Sequence, residues 1–268
     1  VPSLIVSPQT PSIDTINKIN LRSTHLTGLL PLMKEYRQVP IVECGEPLVA
    51  IPEDIFAREI PHPYVKCGAE YGGKSPYYLR SSVLDKLIQA QGYLQQLHPD
   101  WRIQIFDAYR PVEVQQYMVD YTFQQTIEGR GLNLSTLSES QIEEIWQDVY
   151  QIWAIPSFDP ATPPPHSTGA AIDITLVDGN GIAVNMGSPI DEMSPRSQPN
   201  YFANALDPEF HAYHHHRQIL LQVMNQAGFL RHPGEWWHFS NGDQLWAWLS
   251  NRDDPQHPVT AYYGRVIY

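Results

Sequence analysis

Two cysteines in 268 residues are too few for a disulfide framework. Cys44 and Cys67 allow one bridge or two free thiols, and so sparse a usage favours the thiols. Cys-x-x-Cys is absent too, so a metal site has to rest on histidine and carboxylate. Basic residues are in short supply, 17 Lys and Arg against 29 Asp and Glu, a formal charge of −12. Nucleic acid and anionic membrane surfaces call for basic patches, and this balance argues against both. No apolar run approaches the ~18 residues that crossing a bilayer needs. The first residues, Val1 to Pro8, have neither the basic start nor the apolar length of a signal peptide. The chain opens on Val1 instead of Met, so removal of an upstream segment is an open expectation. A soluble protein is expected, with the cytoplasm slightly favoured over the periplasm; nothing indicates an oligomeric state.

What is present is a globular composition, 42% hydrophobic and 11% aromatic. Residues 1–20 are rich in Pro, Ser and Thr and read as an extended arm. Residues 21–268 read as a single domain, with only weak strand signals before residue 80. Ser81 to Leu97 is an amphipathic helix, with Val83, Leu84, Leu87, Ile88 and Leu94 on one stripe and Ser81 or Ser82 as cap. Trp101 to Phe106 alternates as a strand, and Pro111 opens a helix through about Gln125. A third helix spans about Glu139 to Trp153, and a fourth Asp207 to Ala227 before Gly228. Ala171–Val177 and Trp236–Ser240 read as strands. Helices and short strands without regular βαβ alternation point to an α+β domain.

Two segments carry the chemistry. His166-Ser-Thr-Gly-Ala-Ala-Ile-Asp173 and Glu235-Trp-Trp-His238 together hold two imidazoles, a carboxylate and a further acid. A catalytic zinc site needs three protein ligands, an open position and a nearby base, and these parts suffice. Strand alternation puts Ile172, Ile174 and Leu176 toward the core and Asp173 on the opposite face. Pro233-Gly234 forbids a helix through Glu235 and supplies a turn that frees it from the alternation of the strand. A Glu and a His flanking two tryptophans inside a core would each need a partner, and a metal gives them one. A third segment, Asp107-Ala-Tyr-Arg110-Pro111, places an arginine at the end of a strand, where it can donate to a developing oxyanion. The remaining histidines look bland. His214, His215 and His216 point ~100° apart on a helix, and His211 with His215 reads as a solvated face. His25, His62, His98, His232 and His257 sit beside turn or proline signals with no partner in sequence.

Taken in chain order, Asp107–Pro111, His166–Asp173 and Glu235–His238, the three segments resemble those of the D-alanyl-D-alanine dipeptidases, zinc peptidases related to other murein D,D-peptidases. The resemblance covers about residues 75–248 and includes a fourth segment, Met186-Gly-Ser-Pro-Ile-Asp191-Glu-Met193. It implies His166, Asp173 and His238 as ligands of one Zn2+ per chain, Glu235 as catalytic base, and Arg110 as stabiliser of the transition state. Asp191 is implied as an amine-recognising or supporting carboxylate, and Asp107 as substrate-binding or supporting. The implied fold is a small, mostly antiparallel sheet flanked by helices, and the implied substrate a small D-amino-acid dipeptide. One departure stands out. Pro163-Pro164-Pro165 occupy the place where the family usually has small polar residues before its first His. Two alternatives remain open: a D,D- or L,D-carboxypeptidase acting on peptidoglycan stems, and a non-catalytic module that keeps zinc for structure.

Overall fold

Residues 35–266 are described by the structure, a computed structural model, and belong to one compact unit. The arm expected over residues 1–20, and His25, lie outside the described residues. In chain order the strands are β1 (Leu48–Ala50), β2 (Ala57–Arg58), β3 (Tyr78–Arg80), β4 (Arg102–Asp107), β5 (Ala171–Val177), β6 (Leu230–Arg231) and β7 (His238–Ser240). The helices are α1 (Pro63–Lys66), α2 (Ser81–Leu97), α3 (Val112–Gly129), α4 (Glu139–Ile152), α5 (Pro208–Gln226) and α6 (Gln244–Asp253). Five strands form one sheet in the order β2-β4-β5-β7-β6, while β1 and β3 form a separate antiparallel pair. Only β2 runs parallel to its neighbour β4; the other pairings in the main sheet are antiparallel. The α+β class read from the sequence therefore holds. Among the described residues no helix is long and apolar enough to cross a membrane, and Cys44 and Cys67 are free thiols.

The sheet is two-faced because β4 and β5 alternate. Ile103, Ile105, Ile172, Ile174 and Leu176 are fully buried against Leu87 and Leu94 of α2 and Leu220, Val223 and Met224 of α5. That leaves the opposite face for polar side chains. A β-bulge between Ile105 and Asp107 interrupts the ladder. Strict alternation would send Asp107 to the same side as Ile105; the extra residue turns it to the polar face, opposite Asp173.

Helix boundaries follow their caps. At α4 Ser138 and Gln141 form a capping box, and at α5 Asp207 accepts from the Glu209 amide. α2 differs from expectation, since neither serine caps it. Its N-cap is Arg80, and the Glu46 carboxylate reaches across from another segment to accept from the Ser82 amide at 2.9 Å and from the Ser81 and Ser82 hydroxyls. An anion at a helix N-terminus serves the same exposed amides as a local cap. α6, capped by Asp243, was not anticipated.

Arg217 on α5, 1% exposed, ties down the loop between β5 and α5. It donates to the carbonyls of Met186 (2.7 Å), Arg196 and Gln198 (both 2.9 Å), and its guanidinium lies over the Trp236 and Phe202 rings. Arg217→Met is expected to cost ~3 kcal/mol, because the buried Met186 carbonyl and the part-buried Arg196 and Gln198 carbonyls lose their donor together. A fall in the thermal midpoint of roughly 6–12 °C would register it; an unchanged midpoint would refute this account of the loop.

Candidate metal centre and its surroundings

The site is assembled where β4, β5 and β7 lie side by side. Asp107 pairs with Asp173 across β4–β5, and Asp173 pairs with His238 across β5–β7. Residues directly opposite in adjacent strands share a face, so three polar side chains form one row across the sheet. His166 reaches the row from a 3-10 turn, Pro165–Thr168, that opens on proline and closes on Gly169. Gly169 has φ +71°, and a Cβ there would strike the Leu48 side chain. A glycine is needed for the chain to turn from His166 into β5.

These elements bring His166 Nε2, His238 Nδ1 and the Asp173 carboxylate together, each buried, with the donor atoms within 4.8 Å of one another. His166 Nε2 is 3.2 Å from both His238 Nδ1 and Asp173 Oδ2, and His238 Nδ1 is 3.0 Å from Asp173 Oδ1. Tetrahedral ligands at ordinary zinc distances stand about 3.3 Å apart, so the spacing suits such an ion. Each imidazole also has a partner on its far side. His166 Nδ1 is 2.8 Å from the Ala108 carbonyl, which fixes the proton there and leaves Nε2 bare. His238 Nε2 faces Ser240 Oγ at 3.4 Å, and that hydroxyl donates to Asp243. Outer partners of this kind orient metal-binding imidazoles.

Charge in the site is arranged around that cluster. Burial alone would raise the Asp173 pKa, but His166 and His238 hold it well below the usual carboxylate range. Burial likewise opposes ionisation of Asp107, yet Arg110, His62 and His166 bring it down to about 2. Arg110 is 5% exposed. Its Nε donates to Asp107 Oδ2 at 2.8 Å, Nη1 to Gln115 at 2.6 Å, and Nη2 to the Tyr64 hydroxyl and to Asp173 Oδ2. The rings of Tyr64 and Trp153 both lie under its guanidinium.

Glu235 sits in the turn before β7, which begins at His238 and not at Trp236. Trp236 hydrogen-bonds through its amide to Ser197 of the neighbouring loop, so strand alternation does not govern Glu235. Its Oε2 lies 3.9 Å from His238 Nδ1, beside the cluster but outside contact distance of a ligand. Asp191, at φ +63°, receives the Tyr64 hydroxyl at 2.9 Å. Burial and then Asp173 push its carboxyl up to about 7.

The family model described as D-ala-D-ala dipeptidase (peptidase M15) matches residues 57–260. The chain belongs to the D-Ala-D-Ala dipeptidase family. A D-alanyl-D-alanine dipeptidase from Synechocystis is 52% identical over 241 residues, covering 87% of this chain and 97% of that protein. Shorter matches link it to the dipeptidases of Escherichia coli, 38% identical over 82 residues, and Enterococcus faecalis, 35% over 80. These cover 28% and 30% of this chain, and 36% and 37% of those proteins. A solved structure, the LdcB LD-carboxypeptidase, aligns with 79% of this chain and 75% of its own at 15% identity and a TM-score of 0.40. Membership makes the chain a metallopeptidase.

As a family member, it carries its expected site residues in one place: His166, Asp173 and His238 converge, with Glu235, Arg110, Asp107 and Asp191 around them. Asp107 is 0% exposed and sealed by protein groups, so its position allows a supporting role and not contact with substrate. Two histidines read as bland are part of the surroundings. His62 Nε2 lies 3.1 Å from Asp107 Oδ1, and His232 Nδ1 lies 3.4 Å from Glu235 Oε1 with its ring edge-on to His238. Tyr64 and Tyr71 were missed as well. No spacing rule could find His62 and the tyrosines, which arrive from a segment remote in sequence. His232 stood three residues before Glu235, and its place in the same turn was the available signal.

Proposed function

We propose that the protein is a zinc-dependent dipeptidase acting on D-alanyl-D-alanine or a similar small D-amino-acid dipeptide. One observation carries the reading: two bare imidazole nitrogens and an ionised carboxylate converge on one point, with a second carboxylate, Glu235, 3.9 Å from one of the nitrogens. His166, Asp173 and His238 would hold the ion. Bound zinc supplies Lewis-acid polarisation and lowers the pKa of water toward ~7. Glu235 accepts the proton of the attacking water and passes it to the leaving amine. Arg110 Nη2, at the edge of the cluster, offers its charge to the oxygen that becomes negative at the tetrahedral stage. Asp191, held by the Tyr64 hydroxyl and within reach of the charges of Asp173 and Glu235, is assigned recognition of the substrate's free amine.

The near full-length match to a dipeptidase supports a dipeptide substrate. A second reading, a carboxypeptidase that accepts a longer stem, would place the stem in a groove of about 1160 Å³ that neighbours the site through Trp236 but is not lined by His166, Asp173 or His238. Gln104, Thr175, Ser188 and Trp236 are among its lining residues. Side-by-side assay of D-alanine release from the dipeptide and from a pentapeptide ending in D-Ala-D-Ala decides between them. Faster release from the pentapeptide would overturn the dipeptidase reading.

Arg110 supplies a separate test. Losing a positioned oxyanion donor costs about a hundredfold or more in turnover. Here Arg110→Ala also removes the cation between buried Asp107 and Asp173, so it is expected to lose ~3–5 kcal/mol of stability as well. Arg110→Lys keeps the charge and loses the fork that grips Asp107, Gln115 and Tyr64 together. A slow but stable Lys variant with full zinc content is the expected result; parental turnover in either variant would remove Arg110 from the mechanism.

A further inference from the structure

We propose that His62 is a positioning residue of this site, acting through Asp107 on both Arg110 and His166. The proposal rests on the metallopeptidase reading above but concerns a residue outside all four sequence segments. His62 is the N-cap of α1 and is 5% exposed. Its Nδ1 accepts the Tyr64 amide at 3.2 Å, which places the ring proton on Nε2. That Nε2 has no straight hydrogen bond; it faces Asp107 Oδ1 at 3.1 Å. The rings of Tyr64, Tyr71 and Tyr77 pack edge-on around the imidazole at 5.1, 5.4 and 5.5 Å, so it has little freedom to turn away.

What it holds is a carboxylate with two customers on its other oxygen. Asp107 Oδ2 takes Arg110 Nε at 2.8 Å and lies 3.4 Å from His166 Nδ1. The terminal torsion of an aspartate is soft, so its contacts decide where its oxygens point. His62 and the Tyr71 hydroxyl, 3.3 Å from Oδ1, fix one oxygen and thereby aim the other. With Asp107 fully buried, water has no ready access to replace the imidazole. Loosening this carboxylate would disturb the arginine and the back of one metal-binding imidazole at once.

The test compares His62→Phe, His62→Gln and His62→Asn in the full chain. Turnover, KM, zinc affinity by chelator competition, and thermal midpoint are measured for each. His62→Phe keeps bulk and removes the donor; kcat and zinc affinity are each expected to fall ~10–100-fold, with KM changed little. Gln can place an amide N–H near the position of Nε2 and is expected to recover most of both, whereas the shorter Asn is not. In an Asp107→Asn background, His62→Phe is expected to change zinc affinity less than about twofold, since residues acting as one unit are not additive. A His62→Phe protein with a lowered midpoint but parental kcat and zinc affinity would overturn the proposal, leaving His62 a packing residue. So would effects of the two substitutions that simply multiply. If His62→Phe fails to fold, equal behaviour of Gln and Asn would overturn it. A parent chain that takes up no zinc, or cleaves no D-amino-acid peptide, would instead strike at the site reading itself, and the proposal would fall with it.

Discussion

Glu235→Gln is expected to slow D-Ala-D-Ala hydrolysis by ~10²–10⁴-fold while zinc content stays at one per chain. The substitution keeps the shape and the hydrogen-bonding reach of the side chain and removes only its basicity. Glu235 is 7% exposed, held in the turn that follows His232, with Oε1 3.4 Å from His232 Nδ1 and Oε2 3.9 Å from His238 Nδ1. The ligand set does not include it, so an amide in its place should leave the cluster of His166, Asp173 and His238 intact. The same carboxylate is asked to take a proton in one step and return it in the next, which pushes the expected loss toward the upper end. Turnover, metal content and thermal midpoint are to be measured on one preparation. A variant as fast as the parent would refute Glu235 as base, and a variant that has lost its zinc would make Glu235 a ligand instead.

Residues that answer to a local rule were readable in the sequence. The two faces of β5 follow from alternation alone, and with them the direction of Asp173. The turn at Pro233-Gly234 explained why Glu235 need not oppose His238. The capping box of α4 and the Asp207 cap of α5 likewise belong to short-range chemistry. Gly169, whose positive φ carries the chain from His166 into β5, could be anticipated in kind though not in contact.

Features that depend on distant partners were not readable. Alternation continued along β4 would have sent Asp107 into the core; the bulge at Phe106 reverses it, and nothing local in Ile105-Phe106-Asp107 announces a bulge. The cap of α2 looked like a serine from within the helix, yet Glu46, 35 residues upstream of Ser81, supplies it. His62 looked like an isolated histidine beside prolines because its partner, Asp107, stands far along the chain. The ordered segments supplied the candidate ligands; His62, Tyr64 and Tyr71, which reach Asp107 and Arg110, come from a stretch where the strands are two or three residues long and leave little periodic signal.

Removing the metal is expected to abolish activity without unfolding the chain. The hydrophobic core lies on the far face of the sheet, between β4–β5 and the helices α2 and α5, and no part of it depends on an ion. Asp173 also keeps partners when the ion is gone: Arg110 Nη2 donates to it at 3.2 Å, and His166 Nε2 and His238 Nδ1, 3.2 and 3.0 Å from its oxygens, can take up protons in place of the ion and donate too. A buried carboxylate so partnered does not force the site open. The folded state does lose the binding free energy, ~4 kcal/mol when free zinc stands at about a thousand times its Kd. For a domain of this size that corresponds to a fall of roughly 8–16 °C in thermal midpoint. Chelation should therefore leave a folded, inactive protein with a lowered midpoint, and added zinc should restore both activity and midpoint. In His166→Ala the midpoint should respond little to zinc, because one of three ligands is missing. Full activity after chelation, or a chelated chain unfolded at 25 °C, would contradict a catalytic ion seated on a self-standing core.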